Sequence, residues 1–378
     1  MRQIQFKTSA NSIIKRPTFM PANGSANKLS QLIGNTDLLT IPSLSKLTQC
    51  DISVKCEFQN PGGSVKDRAA LQMVLSAIES GELKPGMTIV EGTAGNTGIG
   101  LAVVAKSLGF NLKVVMPKGQ AKEKEQMIEL HGAELILVDP VPFANENHFY
   151  HTARRIAEEN VDFWWANQFE NTANADAHYL TTGPEIFEQT NGDITYFVSA
   201  AGTGGTIGGI TKYLKEQNEQ IGTVCVDPNG SGVFNFLQSG EYKATQGGSF
   251  TEGIGIMRLV DNFREAKVDE TITLPDSDIV TLANYVRQQD GLVLGSSSAL
   301  NVAAAFYTAV QKGPLSGGAK QHVVTLACDL GERSVSKLYN NEFLETKGIN
   351  PDTESMEEMT TRYTQTTDLL KKVTFQYN

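Results

Sequence analysis

Apolar and polar residues change their spacing repeatedly along this chain, switching between the period of a strand and that of a helix. Residues 51–58 (DISVKCEF) alternate and predict a strand, and residues 112–116 (LKVVM) are mostly apolar and predict a buried strand. Residues 66–80 and 96–108 have helical spacing, and each is followed by a glycine, which commonly ends a helix. The same alternation continues through most of the chain.

The complete pattern predicts an α/β protein. Strands are predicted at residues 51–58, 88–90, 112–116, 134–138, 162–166, 195–200, 223–226, 270–274 and 322–328. Helices are predicted at residues 66–80, 96–108, 121–131, 145–159, 173–190, 206–217, 277–289 and 298–312, with a brief strand before the last of them. Alternating strands and helices imply mostly parallel sheets covered on both faces. The polar, threonine-rich sequence after Asn350 is expected to be peripheral.

Composition narrows the class of protein. The chain has 378 residues, of which 40% are hydrophobic and 20% charged, so it is large enough for two lobes of an ordinary globular protein. A net charge of −10 argues against nucleic-acid binding, which needs basic surfaces. No apolar run is long enough to span a membrane. We therefore expect no nucleic-acid partner and no membrane association.

Cysteine, histidine and the N-terminal composition bear on metal binding and localisation. The four cysteines lack C-x-x-C spacing, which predicts neither a zinc site nor a disulfide framework and fits a reducing compartment. His148 and His151 have no evident third ligand, so no metal site is predicted. The 36 residues before Asp37 hold no acid and five Lys/Arg. We expect a cytoplasmic protein with an N-terminal arm; a mitochondrial targeting segment is the alternative.

The candidate chemistry centres on residues 60–68 (NPGGSVKDR). Asn-Pro-Gly-Gly predicts a turn, and Ser64 is the predicted N-cap of the helix that follows. Lys66 then lies in the first helical turn, where the positive end of the helix dipole disfavours a cation. Such a lysine is a candidate nucleophile. From its position alone, an ordinary surface lysine is the competing interpretation.

Three glycine-rich turns follow predicted strands, where ligands bind in α/β folds. Residues 92–98 (GTAGNTG) open a helix with N–H groups and hydroxyls that suit a carboxylate. Residues 202–206 (GTGGT) suit a single phosphate, and residues 295–298 (GSSS) form the third turn. Neither G-x-G-x-x-G nor a Walker motif is present, which argues against a dinucleotide or nucleoside triphosphate. A phosphate cradle, a carboxylate cradle and a lysine fit pyridoxal phosphate holding an amino acid.

Five motifs occur in a fixed order: NPGGSVKDR, GTAGNTG, QF-x-N-x-A-N with TTGPEI, GTGGT and GSSS. With them the chain resembles the cysteine synthase and cystathionine β-synthase family of pyridoxal-phosphate enzymes, from about residue 29 to about residue 348. The resemblance implies a two-lobed, three-layer α/β/α fold like that of the tryptophan synthase β-subunit, usually as a homodimer. The implied division is an arm at 1–28, a larger lobe at 29–60 and 168–348, a smaller lobe at 61–167 and a tail at 349–378.

The resemblance also implies a role for each matching residue. Lys66 matches the Schiff-base lysine, and Ser297 the serine bonded to the pyridine nitrogen. The implied phosphate contacts are Gly202, Thr203, Gly204, Gly205 and Thr206. The implied substrate-carboxylate contacts are Thr93, Ala94, Gly95, Asn96, Thr97 and Gln168, with Asn96 also contacting the 3′-oxygen of pyridoxal 5′-phosphate.

The implied reaction is β-replacement. A serine cannot keep the pyridine nitrogen protonated as an aspartate would, so the ring is a weaker electron sink and prompt loss of a β-substituent is favoured. The family route removes the Cα proton with Lys66 and passes through an aminoacrylate. O-acetyl-L-serine and sulfide would give L-cysteine and acetate.

Two other functions stay open. Ala94 stands where the family usually has serine, Ala299 where it has glycine and Asp37 where proline is common, and residues 141–151 are also unusual. These departures leave the substrate less certain than the coenzyme, and a cysteine desulfhydrase that forms sulfide, pyruvate and ammonia is the main alternative. A non-catalytic scaffold that binds the tail of a serine acetyltransferase is less favoured, because Lys66 and the phosphate turn are retained.

Overall fold

The computed structural model describes residues 28–314, 320–350, 354–366 and 369–375. Nearly all of the predicted N-terminal arm, with the alternative targeting segment, therefore lies outside the described residues. Within the described ranges, no helix has the length and apolar character needed to cross a membrane.

The strands of the described residues form two sheets. They are β1 (Leu38–Thr40), β2 (Asp51–Cys56), β3 (Thr88–Gly92), β4 (Asn111–Pro117), β5 (Glu134–Val138), β6 (Phe163–Trp165), β7 (Tyr196–Ala200), β8 (Gly222–Pro228), β9 (Glu270–Leu274), β10 (His322–Ala327) and β11 (Lys371–Lys372). The seven-stranded sheet has the order β1-β2-β10-β7-β8-β9-β11, and the four-stranded sheet has the order β5-β4-β3-β6. Only the edge strands β1 and β11 pair antiparallel in this part of the chain.

Helices connect the strands and cover the sheets. They are α1 (Pro42–Thr48), α2 (Lys66–Ser80), α3 (Asn96–Leu108), α4 (Lys122–Leu130), α5 (Phe149–Glu158), α6 (Ala173–Ala177), α7 (Gly183–Gln189), α8 (Gly205–Gln217), α9 (Val233–Ser239), α10 (Asp261–Arg264), α11 (Asp276–Asp290), α12 (Ser296–Lys312), α13 (Asn341–Thr346) and α14 (Met356–Gln365). A π-helical turn, His178–Thr182, joins α6 to α7, so the predicted helix at 173–190 is continuous but locally widened.

Alternate residues of the central strands pack into cores on opposite faces of each sheet. In β10, Val323 packs with α11 and α12, whereas its neighbour Val324 packs with α7 and α8. In β3, Ile89 packs with α2 and α3, whereas Val90 packs with α5. Because successive side chains of a strand point to opposite faces, each sheet is a middle layer between helices. This confirms the predicted three-layer α/β class.

The two sheets draw on different parts of the chain. Strands of the four-stranded sheet lie between Thr88 and Trp165, and the seven-stranded sheet uses segments on both sides of that stretch. The helix α2 buries Ala69, Leu71 and Met73 in the core of the smaller sheet. The exact lobe boundaries at 60/61 and 167/168 stay predictions.

Three local predictions were wrong. Met356, Met359 and Tyr363 of α14 are buried in the core of the larger sheet, so the segment after Asn350 is not peripheral there. Its apolar residues at helical spacing were outnumbered by threonine and glutamate. Ser64 is not the N-cap of α2: Val65 occupies that position, and the Ser64 hydroxyl accepts from the Lys66 N–H at 3.3 Å. The brief strand before α12 is a single bridge.

Candidate active site

The predicted site residues meet at a cleft of about 560 Å³ at the carboxyl ends of the strands. Its lining includes residues of the loop after β3, of the loop after β7 and of the start of α12. Lys66, at the start of α2, lines the same cleft. Parallel strands place their carboxyl ends on one edge of a sheet, which explains why loops distant in sequence converge.

Lys66 presents an amine that suits covalent attachment of a carbonyl. Burial lowers the pKa of this amine below its ordinary value, partly offset by Cys328 and Asp329. Within the described residues, its Nζ atom has no hydrogen-bond partner. A fraction of neutral amine is therefore available as a nucleophile or base. This environment argues against the interpretation as an ordinary surface lysine.

The turn at residues 202–206 is shaped by close backbone packing. A Cβ on Gly202 would lie 2.1 Å from the carbonyl oxygen of Gly253, and one on Gly204 would lie 2.6 Å from Cβ of Phe263. Gly204 has a φ of 83°, which favours glycine. The following helix, α8, begins with backbone N–H groups that have no acceptor within the helix. The turn thus offers donors and the positive end of a helix dipole to an anion.

Side chains brace this turn from the neighbouring helix. Asn174 Nδ2 donates to Thr203 Oγ1 at 2.9 Å and to the backbone oxygen of Gln168 at 2.8 Å. Thr206 Oγ1 lies 3.2 Å from Nε2 of His178. Burial holds the pKa of His178 well below its ordinary value, so its ring is neutral. The charge offered to an anion therefore comes from the helix terminus and not from this imidazole.

The loop at residues 93–97 is held by a buried chain of side chains. Thr97 Oγ1 donates to Gln168 Oε1 at 2.6 Å, and Gln168 Nε2 donates to Glu91 Oε1 at 3.0 Å and to the Gly92 carbonyl at 2.9 Å. Burial raises the pKa of Glu91 to about 8, although hydrogen bonds from Gln168 and the backbone oppose the shift. Gln168 therefore supports the loop in addition to lining the cleft.

The start of α12 lies opposite that loop. Ser297 is buried and lines the cleft, as does Cys328. Burial raises the pKa of the Cys328 thiol to about 12, so it is neutral. Ser298 points elsewhere, since its hydroxyl donates to the Asp329 carbonyl at 2.7 Å. Of these two serines, Ser297 is the one that can contact a group in the cleft.

An ion-pair cluster ties together three segments at the cleft. Glu252 pairs with Lys124 of α4 and with Lys337, each at 2.5 Å. Burial alone would raise the pKa of Glu252, but the two lysines hold it below its ordinary value. The cluster joins a helix of the smaller sheet to loops that adjoin the larger one, so it links the two sides of the cleft.

Most of the predicted site residues line the cleft directly. They are Lys66, Thr93, Ala94, Gly95, Asn96, Thr97, Gln168, Gly202, Thr203 and Ser297. Gly204, Gly205 and Thr206 continue the same turn into α8. Their individual contacts with coenzyme and substrate stay predictions.

Sequence reasoning missed the residues that hold these side chains in place. Glu91 was detectable as an acid inside the apolar strand TIVEG, and Asp329 and Arg333 as charged residues after the last predicted strand. Asn174 belonged to a quoted motif but had no assigned role. Glu252 gave no local signal, because its partners come from distant segments.

The residues present fit pyridoxal 5′-phosphate. The amine of Lys66 would hold the carbonyl carbon, the first turn of α8 would hold the phosphate, and Ser297 offers a neutral hydroxyl to the ring nitrogen. The close packing around Gly202 and Gly204 shows that this turn has no space for larger side chains. No group of at least three His, Cys, Asp or Glu side chains suited to a metal occurs in the described ranges.

Several known proteins are similar to this chain in sequence and structure. Residues 29–329 match the model of the family described as "Pyridoxal-phosphate dependent enzyme". Cysteine synthase 2 of Schizosaccharomyces pombe is 44% identical, with 87% of each chain covered. Cysteine synthase 1 of Emericella nidulans is 45% identical, covering 87% of this chain and 88% of the relative. The crystal structure of the O-acetylserine dependent cystathionine beta-synthase from Helicobacter pylori matches with a TM-score of 0.73 and 31% identity, covering 83% and 98% of the two chains.

Proposed function

We propose that this chain is a cysteine synthase, because it belongs to the family of pyridoxal-phosphate dependent enzymes and its similar relatives carry that name. The reaction would replace the acetyl group of O-acetyl-L-serine with sulfide, giving L-cysteine and acetate. The observation that supports it best is one cleft lined by the Lys66 amine, the turn at 202–206 and the loop at 93–97. These three elements match the needs of a coenzyme aldehyde, its phosphate and an amino-acid carboxylate.

The proposed roles follow the chemistry of each group. Lys66 attaches the coenzyme, residues 202–206 bind its phosphate, Asn96 contacts its ring oxygen and Ser297 its ring nitrogen. The loop Thr93–Ala94–Gly95–Asn96–Thr97, with Gln168, receives the substrate carboxylate. When bound, the coenzyme supplies the electron sink that makes the Cα proton removable.

Proton transfer falls to Lys66. Its lowered pKa provides a neutral Nζ that accepts the proton from Cα, and acetate leaves with the electron pair of the Cβ–O bond. Hydrosulfide then forms the Cβ–S bond, and Nζ returns a proton to Cα. A cysteine desulfhydrase would share the removal of the Cα proton by Lys66, but hydrosulfide would leave from Cβ with the electron pair of the Cβ–S bond. Water would then hydrolyse the released product to pyruvate and ammonia.

The proposed assembly follows from the family resemblance, and the proposed location follows from the cysteine pattern and the composition of the residues before Asp37. We propose a homodimer in the cytoplasm, with a serine acetyltransferase as a protein partner whose tail binds in the same cleft. Size-exclusion chromatography with light scattering would test the dimer. A pull-down with the acetyltransferase tail, with and without substrate, would test the partner.

Two paired assays test the activity. Purified protein should form cysteine from O-acetylserine and sulfide faster than it releases sulfide from cysteine alone; the reverse ranking would favour the desulfhydrase.

Lys66→Ala should abolish the visible absorption band of bound coenzyme and the activity, because the covalent link is lost. Lys118→Ala is the matched control, since the Lys118 side chain is 57% exposed. A visible band that persists in Lys66→Ala would contradict the assignment.

A further inference from the structure

The side chain of Asn96 is held between two opposite charges. Its Nδ2 donates to Asp329 Oδ2 at 2.7 Å, and its Oδ1 accepts from Arg333 Nη1 at 2.9 Å. Asp329 and Arg333 are 3% and 4% exposed. Asn96 lines the cleft, whereas Asp329 and Arg333 do not, so the two charged residues contact the Asn96 side chain on the side away from the cleft.

These two partners fix which end of the carboxamide faces which way. A carboxylate only accepts hydrogen bonds, and a guanidinium only donates them. A flipped carboxamide would oppose oxygen to oxygen and N–H to N–H, so both contacts would be lost together. The observed orientation uses one N–H of Nδ2 and leaves the other to donate to a group in the cleft.

Asp329 and Arg333 are themselves fixed by the elements around them. The hydroxyl of Ser298 donates to the Asp329 carbonyl at 2.7 Å and accepts from the Asp329 N–H at 3.0 Å. Arg333 Nη2 donates to the carbonyl of Gly62, in the turn that leads to Lys66. The pair thus connects three cleft elements: the loop at 93–97, the start of α12 and the start of α2.

We propose that Asp329 and Arg333 are positioning residues that orient the Asn96 carboxamide so that its remaining N–H donates to the ring oxygen of the coenzyme. The inference rests on the proposed coenzyme site and adds to it two residues outside the five sequence motifs. A donor to an ionised ring oxygen favours that form over the neutral one. Loss of the orientation should therefore shift bound coenzyme toward the form whose ring oxygen is neutral.

A double-mutant cycle on the coenzyme-loaded enzyme tests this proposal. Asn96→Ala, Asp329→Ala and the double variant are compared by absorption spectrum and by KM for O-acetylserine. Each single variant should raise the fraction of the band from neutral ring oxygen, and Asp329→Ala should raise KM by roughly tenfold, as expected for loss of a charged hydrogen bond. In the Asn96→Ala background, Asp329→Ala should add only the effect of losing its charge near Lys66, because its effect on the ring oxygen acts through Asn96.

A conservative variant and a remote control separate positioning from folding. Asp329→Asn keeps an oxygen that can accept from Asn96 Nδ2, so it should recover part of the wild-type spectrum, and it serves if Asp329→Ala fails to fold. Asp278→Asn removes another buried carboxylate that pairs with an arginine, Arg362, at 2.9 Å, away from the cleft lining. It should lower Tm and leave the spectrum unchanged.

The outcomes distinguish this inference from the proposed function. Loaded wild-type enzyme with a visible band, together with an unchanged spectrum in both Asp329 variants, would overturn the positioning role alone. Full additivity of Asp329→Ala and Asn96→Ala would also overturn it. A wild-type protein that takes up no coenzyme would contradict the proposed function and this inference together.

Discussion

The turn at 202–206 and the loop at 93–97 both join a strand to a helix, yet they are held in different ways. Backbone packing shapes the first: Gly202 lies against the Gly253 carbonyl and Gly204 against Phe263. Buried side chains from Glu91, Gln168 and the Asp329–Arg333 pair hold the second. Substitutions at the turn should therefore lower coenzyme content, whereas substitutions of the side chains that hold the loop should leave that content near wild type and weaken substrate binding.

The largest effect is expected at the turn. Gly202→Ala would place Cβ 2.1 Å from the carbonyl oxygen of Gly253, so one of the two backbone segments must shift, and Gly202 belongs to the turn proposed to bind the phosphate. Coenzyme affinity should fall by at least about tenfold, with a loss of about 1–3 kcal/mol in unfolding free energy from overpacking. Coenzyme content after dialysis and thermal unfolding measure the two effects.

Gly248→Ala is the matched control for this substitution. A Cβ on Gly248 would meet nothing within 4 Å, so this variant should keep its coenzyme. Equal coenzyme loss in the two variants would show that the turn does not depend on close backbone packing.

A smaller and different effect is expected behind the loop. Gln168→Leu removes the acceptor for Thr97 and both donors to Glu91 and Gly92. KM for O-acetylserine should rise by roughly tenfold, as for loss of buried hydrogen bonds, while coenzyme content stays near that of wild type. Steady-state kinetics and the coenzyme spectrum measure this split.

Gln72→Leu on α2 provides the control, because the Gln72 side chain donates a long hydrogen bond to Ser76 at 3.3 Å and is not among the residues that line the cleft. Gln72→Leu should change neither KM for O-acetylserine nor coenzyme content. Coenzyme loss in Gln168→Leu as severe as in Gly202→Ala would remove the proposed distinction between the two regions.

The side chains behind the loop should also make it sensitive to pH. Burial raises the pKa of Glu91 to about 8, above its ordinary value, so the folded state binds a proton that the unfolded state has released. From roughly pH 5 to pH 8 this group therefore makes stability fall as pH rises. Glu91→Gln should flatten that fall and raise Tm by a few degrees near pH 8 relative to wild type.

Thermal unfolding at several pH values measures the difference in slope. Asp227 gives a comparison, since burial raises its pKa to about 6. Its contribution to the fall of stability with pH should therefore end above about pH 6, whereas that of Glu91 should continue to about pH 8. Identical slopes in wild type and Glu91→Gln would show that Glu91 does not titrate in this range.

The contrast between the turn at 202–206 and the loop at 93–97 also explains how much of the fold and of the site could be predicted from the sequence. Glycine spacing is local, so the turn at 202–206 and its place after a strand could be inferred directly, as could the α/β class from alternating periods. The position of Lys66 in a helix start was also a local feature, but its proposed role became predictable only in combination with the glycine-rich turns and the order of the motifs. The confirmed class and the converging residues follow from such short-range signals.

Other features depend on partners far apart in the chain. Asp329 contacts Asn96 across 233 positions, and Lys124 contacts Glu252 across 128, so neither pair has a local signature. The α14 helix has only a few apolar residues among many polar ones, and their burial depends on the core that α11 and α12 present. Local composition could not show that this helix completes a core.

The smallest expected effect comes from Ala94, which lines the cleft where the family usually carries serine. Ala94→Ser would add one hydroxyl donor for the substrate carboxylate, worth about 1 kcal/mol, so KM for O-acetylserine should fall by about fivefold at most. Coenzyme content should not change, because the turn at 202–206 is untouched. Ala94→Cys is the control of similar size with a weaker donor. If Ala94→Cys lowered KM as much as Ala94→Ser, side-chain size and not hydrogen bonding would set substrate affinity at this position. The loop would then depend on close packing, as the turn at 202–206 does.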